Sequence, residues 1–264
     1  MIKPPRLKKG DKIATISLSS GIAGDEKFRY RYEIGKKRLE NLFGLKVVEM
    51  SNSLKGSKYL SNNPKARAED MMNAFKNKET KAIFSNIGGD DTLRLLPYID
   101  LDVIKNNPKI LMGYSDTTVN HFMCYKAGLT SYYGPSVLTE FAENVEMHDY
   151  TIKWIKKVLF NNKIIGEIES SNYWTSQMLP WENKENSKIK RKFNKEKRGY
   201  ELLQGDGIVK GKLIGGCIES LDGLRGTILW PDLEEWENKI LFLETSEEKP
   251  TPIEIRRYLR SFNA

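Results

Sequence analysis

Short apolar runs separated by helical patterns fill the first half of the chain, the arrangement of a parallel α/β sheet. Lys12-Ile13-Ala14-Thr15-Ile16-Ser17 predicts a first strand ending in the donor-rich turn Ser19-Ser20-Gly21. A helix follows from about Lys27 to Phe43, then a strand over Lys46-Val47-Val48-Glu49. Asn63-Pro64 opens another helix, with proline at its first position and Ala66, Met71, Met72, Ala74 and Phe75 on an apolar face. Ala82-Ile83-Phe84-Ser85 reads as a buried strand running into Asn86-Ile87-Gly88-Gly89-Asp90-Asp91. Ile110-Leu111-Met112 is the next strand, and a helix over Thr117 to Ala127 succeeds it.

After Tyr150 the pattern changes. A helix over about Asp149 to Phe160 leads into a polar, basic stretch from Trp174 to Tyr200. Gly207 to Gly216 and Lys239-Ile240-Leu241-Phe242-Leu243-Glu244 then read as strands, and Pro252 to Phe262 as a final helix. The expected organisation is an α/β domain over residues 1–165 and a smaller, β-rich unit over residues 166–264.

Composition narrows the class. No run approaches the roughly 20 apolar residues that span a bilayer, and Met1-Ile2-Lys3-Pro4-Pro5-Arg6 lacks the apolar stretch of a secretory signal. Cys124 and Cys217 have neither disulfide-framework nor metal-ligand spacing, so a reducing cytoplasm is expected. Of the net charge of +8, a balance of +5 sits between Glu182 and Arg198, where eight Lys or Arg face three Glu. Such a concentrated run is usually a solvated loop. A nucleic-acid role through this loop, with Trp181, Phe193 and Tyr200, is the weaker expectation.

The candidate chemistry centres on Gly113-Tyr114-Ser115-Asp116-Thr117, at the junction of a strand and a helix. A serine on such a turn has its hydroxyl clear of the sheet and beside free amides of a helix N-terminus, the placement of a nucleophile. Ligands of open α/β sheets bind beyond the carboxyl ends of the strands, so the turns at Ser19-Ser20-Gly21, Gly88-Gly89-Asp90 and Tyr114-Ser115-Asp116 are expected to line one crevice. Glu219 and Glu244 are the competing acids. His121, six residues after Ser115 on the same helix, and His148 are not expected to reach the serine. Cys217 reads as a small buried residue, and Trp174 and Trp181 flank the polar loop.

Asn63-Pro64-Lys65-Ala66-Arg67-Ala68, Gly88-Gly89-Asp90-Asp91 with Arg94-Leu95-Leu96-Pro97-Tyr98, and Gly113-Tyr114-Ser115-Asp116 stand in an order and spacing that resemble the LD-carboxypeptidase family of serine peptidases. Gly215-Gly216 and Leu241-Phe242-Leu243-Glu244 continue the match. Tyr132-Tyr133-Gly134-Pro135-Ser136 and Leu179-Pro180-Trp181-Glu182 look most like its microcin C immunity branch.

The resemblance implies a flavodoxin-like N-terminal domain with a small β-rich C-terminal domain, usually in a homodimer, without metal or cofactor. It makes Ser115 the nucleophile and Glu244 the acid that orients a histidine. The amides of Asp116 and Gly89 become the oxyanion hole, while Gly88 and Trp181 contact substrate, Trp181 by stacking on a base. The implied reaction is hydrolysis of an amide in a murein peptide or a peptidyl-nucleotide antibiotic. The family's histidine lies several dozen residues beyond the glutamate, and only twenty residues follow Glu244 here. The sequence therefore reads as C-terminally truncated and inactive by itself, because a serine needs a base to take its proton. The alternative is a non-catalytic peptide- or nucleotide-binding protein using the same crevice.

Overall fold

The computed structural model describes residues 1–262. Five parallel strands, β1 (Lys12–Ile16), β2 (Lys46–Glu49), β3 (Thr80–Ser85), β4 (Ile110–Gly113) and β5 (Tyr132–Tyr133), form one sheet in the order β2-β1-β3-β4-β5. This is the flavodoxin-like order, in which the chain switches direction between β1 and β3. Both faces of the sheet are covered, which explains why its strands are continuous apolar runs. Alternate residues serve the two faces. Ala14, Ile16, Ile83 and Leu111 join one core with Met71, Phe75 and Phe122, and Ile13, Ala82, Phe84, Ile110 and Met112 join the other with Tyr32, Leu39, Phe141 and Ile155.

Helix α1 (Arg29–Phe43) ends on Gly44, whose left-handed backbone (φ 67°) turns its N–H back to Glu40 and Leu39. The short α2 (Ser57–Asn62) precedes α3 (Pro64–Lys76), where proline stands at the helix start as the sequence indicates. Helices α4 (Leu101–Asn106), α5 (Thr118–Lys126) and α6 (Asp149–Leu159) complete the layers. A 3₁₀ turn over Ser115–Thr117 joins β4 to α5.

Beyond α6 the regular structure thins. β6 (Tyr173–Trp174) and β7 (Asn194–Lys195) form a two-residue antiparallel ladder that frames the basic loop. β8 (Lys212–Cys217) and β9 (Lys239–Glu244) pair in parallel through α7 (Ile218–Asp222) and α8 (Leu233–Trp236), and α9 (Pro252–Phe262) follows. The strand expected to begin at Gly207 begins at Lys212. Ile208 and Val209 are exposed and have no partner strand, and Gly205 and Gly207 turn the backbone through positive φ before pairing can start. The small sheets thus lie C-terminal to the large one. Among the described residues, no helix is long and apolar enough to cross a membrane.

Candidate active site

β4 ends at Gly113, where a side chain would stand 2.7 Å from Ser85 Cβ and Thr117 Oγ1. Two residues later Ser115 sits at φ 58°, left-handed backbone that a serine rarely adopts. The sharp reversal lifts its side chain off the sheet and opens the 3₁₀ turn. Thr118 fastens that turn by donating from Oγ1 to the Ser115 carbonyl at 2.6 Å. Asp116 is buried, and its carboxylate accepts the Thr92 amide (2.9 Å) and the Ser220 hydroxyl (3.4 Å). Its side chain is therefore an anchor, leaving the backbone as the part facing the serine.

The three strand-end turns meet above this point. The Ser20 amide donates to the Gly88 carbonyl at 3.1 Å, and the Asp91 amide donates to Ser19 Oγ at 2.9 Å. Gly88 lies against the serine itself: a Cβ there would be 2.8 Å from Ser115 Cβ and Oγ and 3.3 Å from the Asp116 nitrogen. Gly89 has φ 142°, and a Cβ there would meet Ser19 Oγ at 2.4 Å. Both positions demand glycine for close backbone approach.

Beneath the turns, α3 contributes a residue that its apolar pattern conceals. Arg67 is fully buried, and its guanidinium donates to the Leu18 (3.0 Å) and Ser19 (3.2 Å) carbonyls and pairs with the Asp91 carboxylate at 2.5 Å. One side chain thus ties the loop after β1 to the Gly88–Asp91 loop.

The second wall comes from β8 and β9. Gly216 has φ 150°, and a Cβ there would strike Thr118 Oγ1 at 2.4 Å, so β8 comes up close to the start of α5. The Cys217 amide then donates to Thr118 Oγ1 at 3.0 Å. In register with Cys217, Glu244 ends β9, and its Oε1 accepts the Ser115 amide at 3.3 Å and the Tyr133 hydroxyl. Glu219, the competing acid, is engaged elsewhere: it accepts the Ser246 amide (3.0 Å) and hydroxyl (2.7 Å) and lies 3.1 Å from Cys217 Sγ. Burial, reinforced by Glu219, pushes the Cys217 thiol up to about 12, so it is not a thiolate.

Neither histidine hydrogen-bonds Ser115. His121 lies under β4, its Nε2 donating to the Gly113 carbonyl at 2.9 Å and its Nδ1 bonded to Ser131 Oγ at 2.8 Å. His148 precedes α6, 3.4 Å from the Glu143 carboxylate and edge-on to Phe193 with ring centroids 4.7 Å apart. Trp181 packs on the edge of the second core. The Arg31 guanidinium covers one indole face at 4.2 Å, and the Tyr30 hydroxyl holds the Trp181 carbonyl at 2.9 Å. The loop that carries it is pinned further by Arg191 to Glu143 and by Asn144 to the carbonyls of Asn186 and Ile189.

The family model for the LD-carboxypeptidase N-terminal domain matches residues 13–134, and that for the LD-carboxypeptidase C-terminal domain matches residues 210–264. The chain belongs to the LD-carboxypeptidase family. The putative carboxypeptidase YocD of Bacillus subtilis (strain 168) is 32% identical over 245 residues, covering 90% of this chain and 69% of that protein. The microcin C7 self-immunity protein MccF of Escherichia coli is 32% identical over 213 residues, or 80% of this chain, and the match spans only 60% of that relative's length. A crystal structure of an MccF-like protein from Streptococcus pneumoniae in complex with AMP superposes with a TM-score of 0.88 at 36% identity, covering 96% of this chain and 78% of that one.

In this member of the LD-carboxypeptidase family, His121 is a neutral structural group. Burial, opposed by the bond to Gly113, lowers its pKa to about 4. The unfolded chain protonates near 6.5. Between these values only the unfolded state takes up the proton, so the stability held above pH 6.5 is lost as pH falls toward 4. The expected loss is about 3 kcal/mol. Urea unfolding at pH 7 and pH 4.5 covers most of that range: His121→Gln should flatten the pH dependence between them by about 2.5 kcal/mol, and an unchanged dependence would show that the imidazole is not buried neutral.

Proposed function

We propose that this chain carries a serine peptidase-type site that binds a peptidyl-nucleotide or murein peptide at the crevice of β1, β3 and β4, and that the 264-residue polypeptide binds without turning over. The observation that carries the reading is Ser115 on a left-handed turn, with Gly88 packed on its side chain and the Glu244 carboxylate at its amide. In the reaction, Ser115 Oγ attacks the amide carbonyl carbon while the hydroxyl proton passes to a base. Amides of Asp116 and Gly89 receive the developing oxyanion, and the amine leaves with the proton. Glu244 would orient the base. Among the described residues neither His121, bonded to Gly113 and Ser131, nor His148, beside Glu143, hydrogen-bonds Ser115. We place the protein in the cytoplasm as a homodimer.

The AMP complex of the Streptococcus pneumoniae relative favours the nucleotide class. Calorimetry with AMP tests it. Trp181→Ala should weaken binding about tenfold, since stacking one base is worth ~1–3 kcal/mol. Equal affinity in the two proteins would remove Trp181 from the site. The rival reading, a non-catalytic binding protein, draws on the same crevice. The two part when an external base is supplied, because only a peptidase site then turns over.

A further inference from the structure

Tyr133 ends β5, the edge strand, in register with Gly113 and so beside the elbow two residues further on. Its hydroxyl makes two bonds of opposite sense. It accepts the Ser115 N–H at 2.9 Å and donates its single proton to Glu244 Oε1. A phenylalanine at this position could make neither bond.

The ring is held on two sides. Phe242, two residues before Glu244 on β9, meets it edge-on at 5.3 Å, and His121, bonded to the Gly113 carbonyl, lies at 5.4 Å. Burial first, then the bond to Glu244, keeps the phenol protonated well above the ordinary tyrosine range, so it remains a donor to the carboxylate. The amide it accepts belongs to the one residue of the elbow in left-handed backbone, a conformation that persists only where the surroundings hold it.

We infer that Tyr133 is a positioning residue that registers Glu244 of β9 on the elbow of β4, so that nucleophile and acid share one fixed contact. Its catalytic meaning rests on the reading of Ser115 as the nucleophile. Tyr133 acts through Glu244 and through the Ser115 amide, the two partners of its hydroxyl. Any base oriented by Glu244 takes its distance from Ser115 from this contact.

Tyr133→Phe keeps the ring and removes the hydroxyl. Amide hydrogen exchange at Ser115 should then quicken about tenfold while Ile83 and Leu111, in the sheet interior, stay unchanged. Glu244→Gln should also quicken exchange at Ser115, but the double variant should be no more than twofold faster than Tyr133→Phe alone. An unaltered Ser115 rate in Tyr133→Phe, or a double variant whose effect is the product of the single ones, would overturn the inference. A general rise across the sheet would make Tyr133 a mere packing residue and overturn it equally. Labelling of the wild-type chain by a fluorophosphonate in imidazole buffer is a separate arm. If mass spectrometry finds no adduct on Ser115, the nucleophile reading fails, whatever the exchange rates say about Tyr133.

Discussion

Arg67→Met should lower the unfolding free energy by about 3 kcal/mol and loosen the loop over the serine. Methionine fills much of the arginine's volume, so the loss reports on hydrogen bonding more than on cavity formation. The guanidinium is fully buried and serves the Leu18 and Ser19 carbonyls together with the Asp91 carboxylate. With it removed, two carbonyls lose partners, while Asp91 keeps only the exposed Arg94 at 3.2 Å. That residual pair is why the expected loss falls toward the lower end for a broken buried ion pair. The Ser20–Gly88 and Ser19–Asp91 hydrogen bonds rest on the same two loops and should exchange faster. Urea denaturation and amide exchange check both effects. A loss under 1 kcal/mol with the loop amides still protected would mean that Arg67 does not hold the crevice.

Gly215→Ala should separate β9 from β8 and withdraw Glu244 from the elbow. A Cβ at this position would lie 1.8 Å from the Phe242 carbonyl oxygen, and the backbone there is at φ 144°. Steric overlap with a strand carbonyl and a backbone region closed to alanine act together. The cost exceeds about 3 kcal/mol unless the strands part, so local separation is the expected outcome. Amides of Lys239–Glu244 should lose protection, and the Ser115 amide should lose it with them, since Glu244 is one of its acceptors. Retained protection along β9 would contradict the pairing described.

Much of the sheet was legible because its strands are buried on both faces and stand between helices with clear punctuation. Pro64 marks the start of α3, and the Ile110–Met112 run ends at the elbow where the strand does. Polar residues inside apolar faces were not legible. Arg67 and Asp70 share the periodicity of the apolar face of α3, but their charge would place them in solvent, yet both are buried by partners distant in sequence. Tyr133 was hidden for a different reason: an aromatic at a strand end is ordinary until Glu244, 111 residues later, arrives beside it. The start of β8 was misread because Ile208 and Val209 have strand composition but no neighbour to pair with. His121 does not reach the serine, as its position about two turns along the same helix indicated; its ring turns to Gly113 on the preceding strand.

The central proposal is that Ser115 stands beside amides and an acid that would serve catalysis, with no base bonded to it among the described residues. Incubating the purified chain with a peptidyl-nucleotide amide, with and without imidazole, and following product by mass spectrometry tests it most directly. The account predicts no hydrolysis in imidazole-free buffer, and hydrolysis with imidazole that disappears in Ser115→Ala. Hydrolysis that depends on Ser115 without added imidazole, or none in either buffer despite saturating binding, would contradict it.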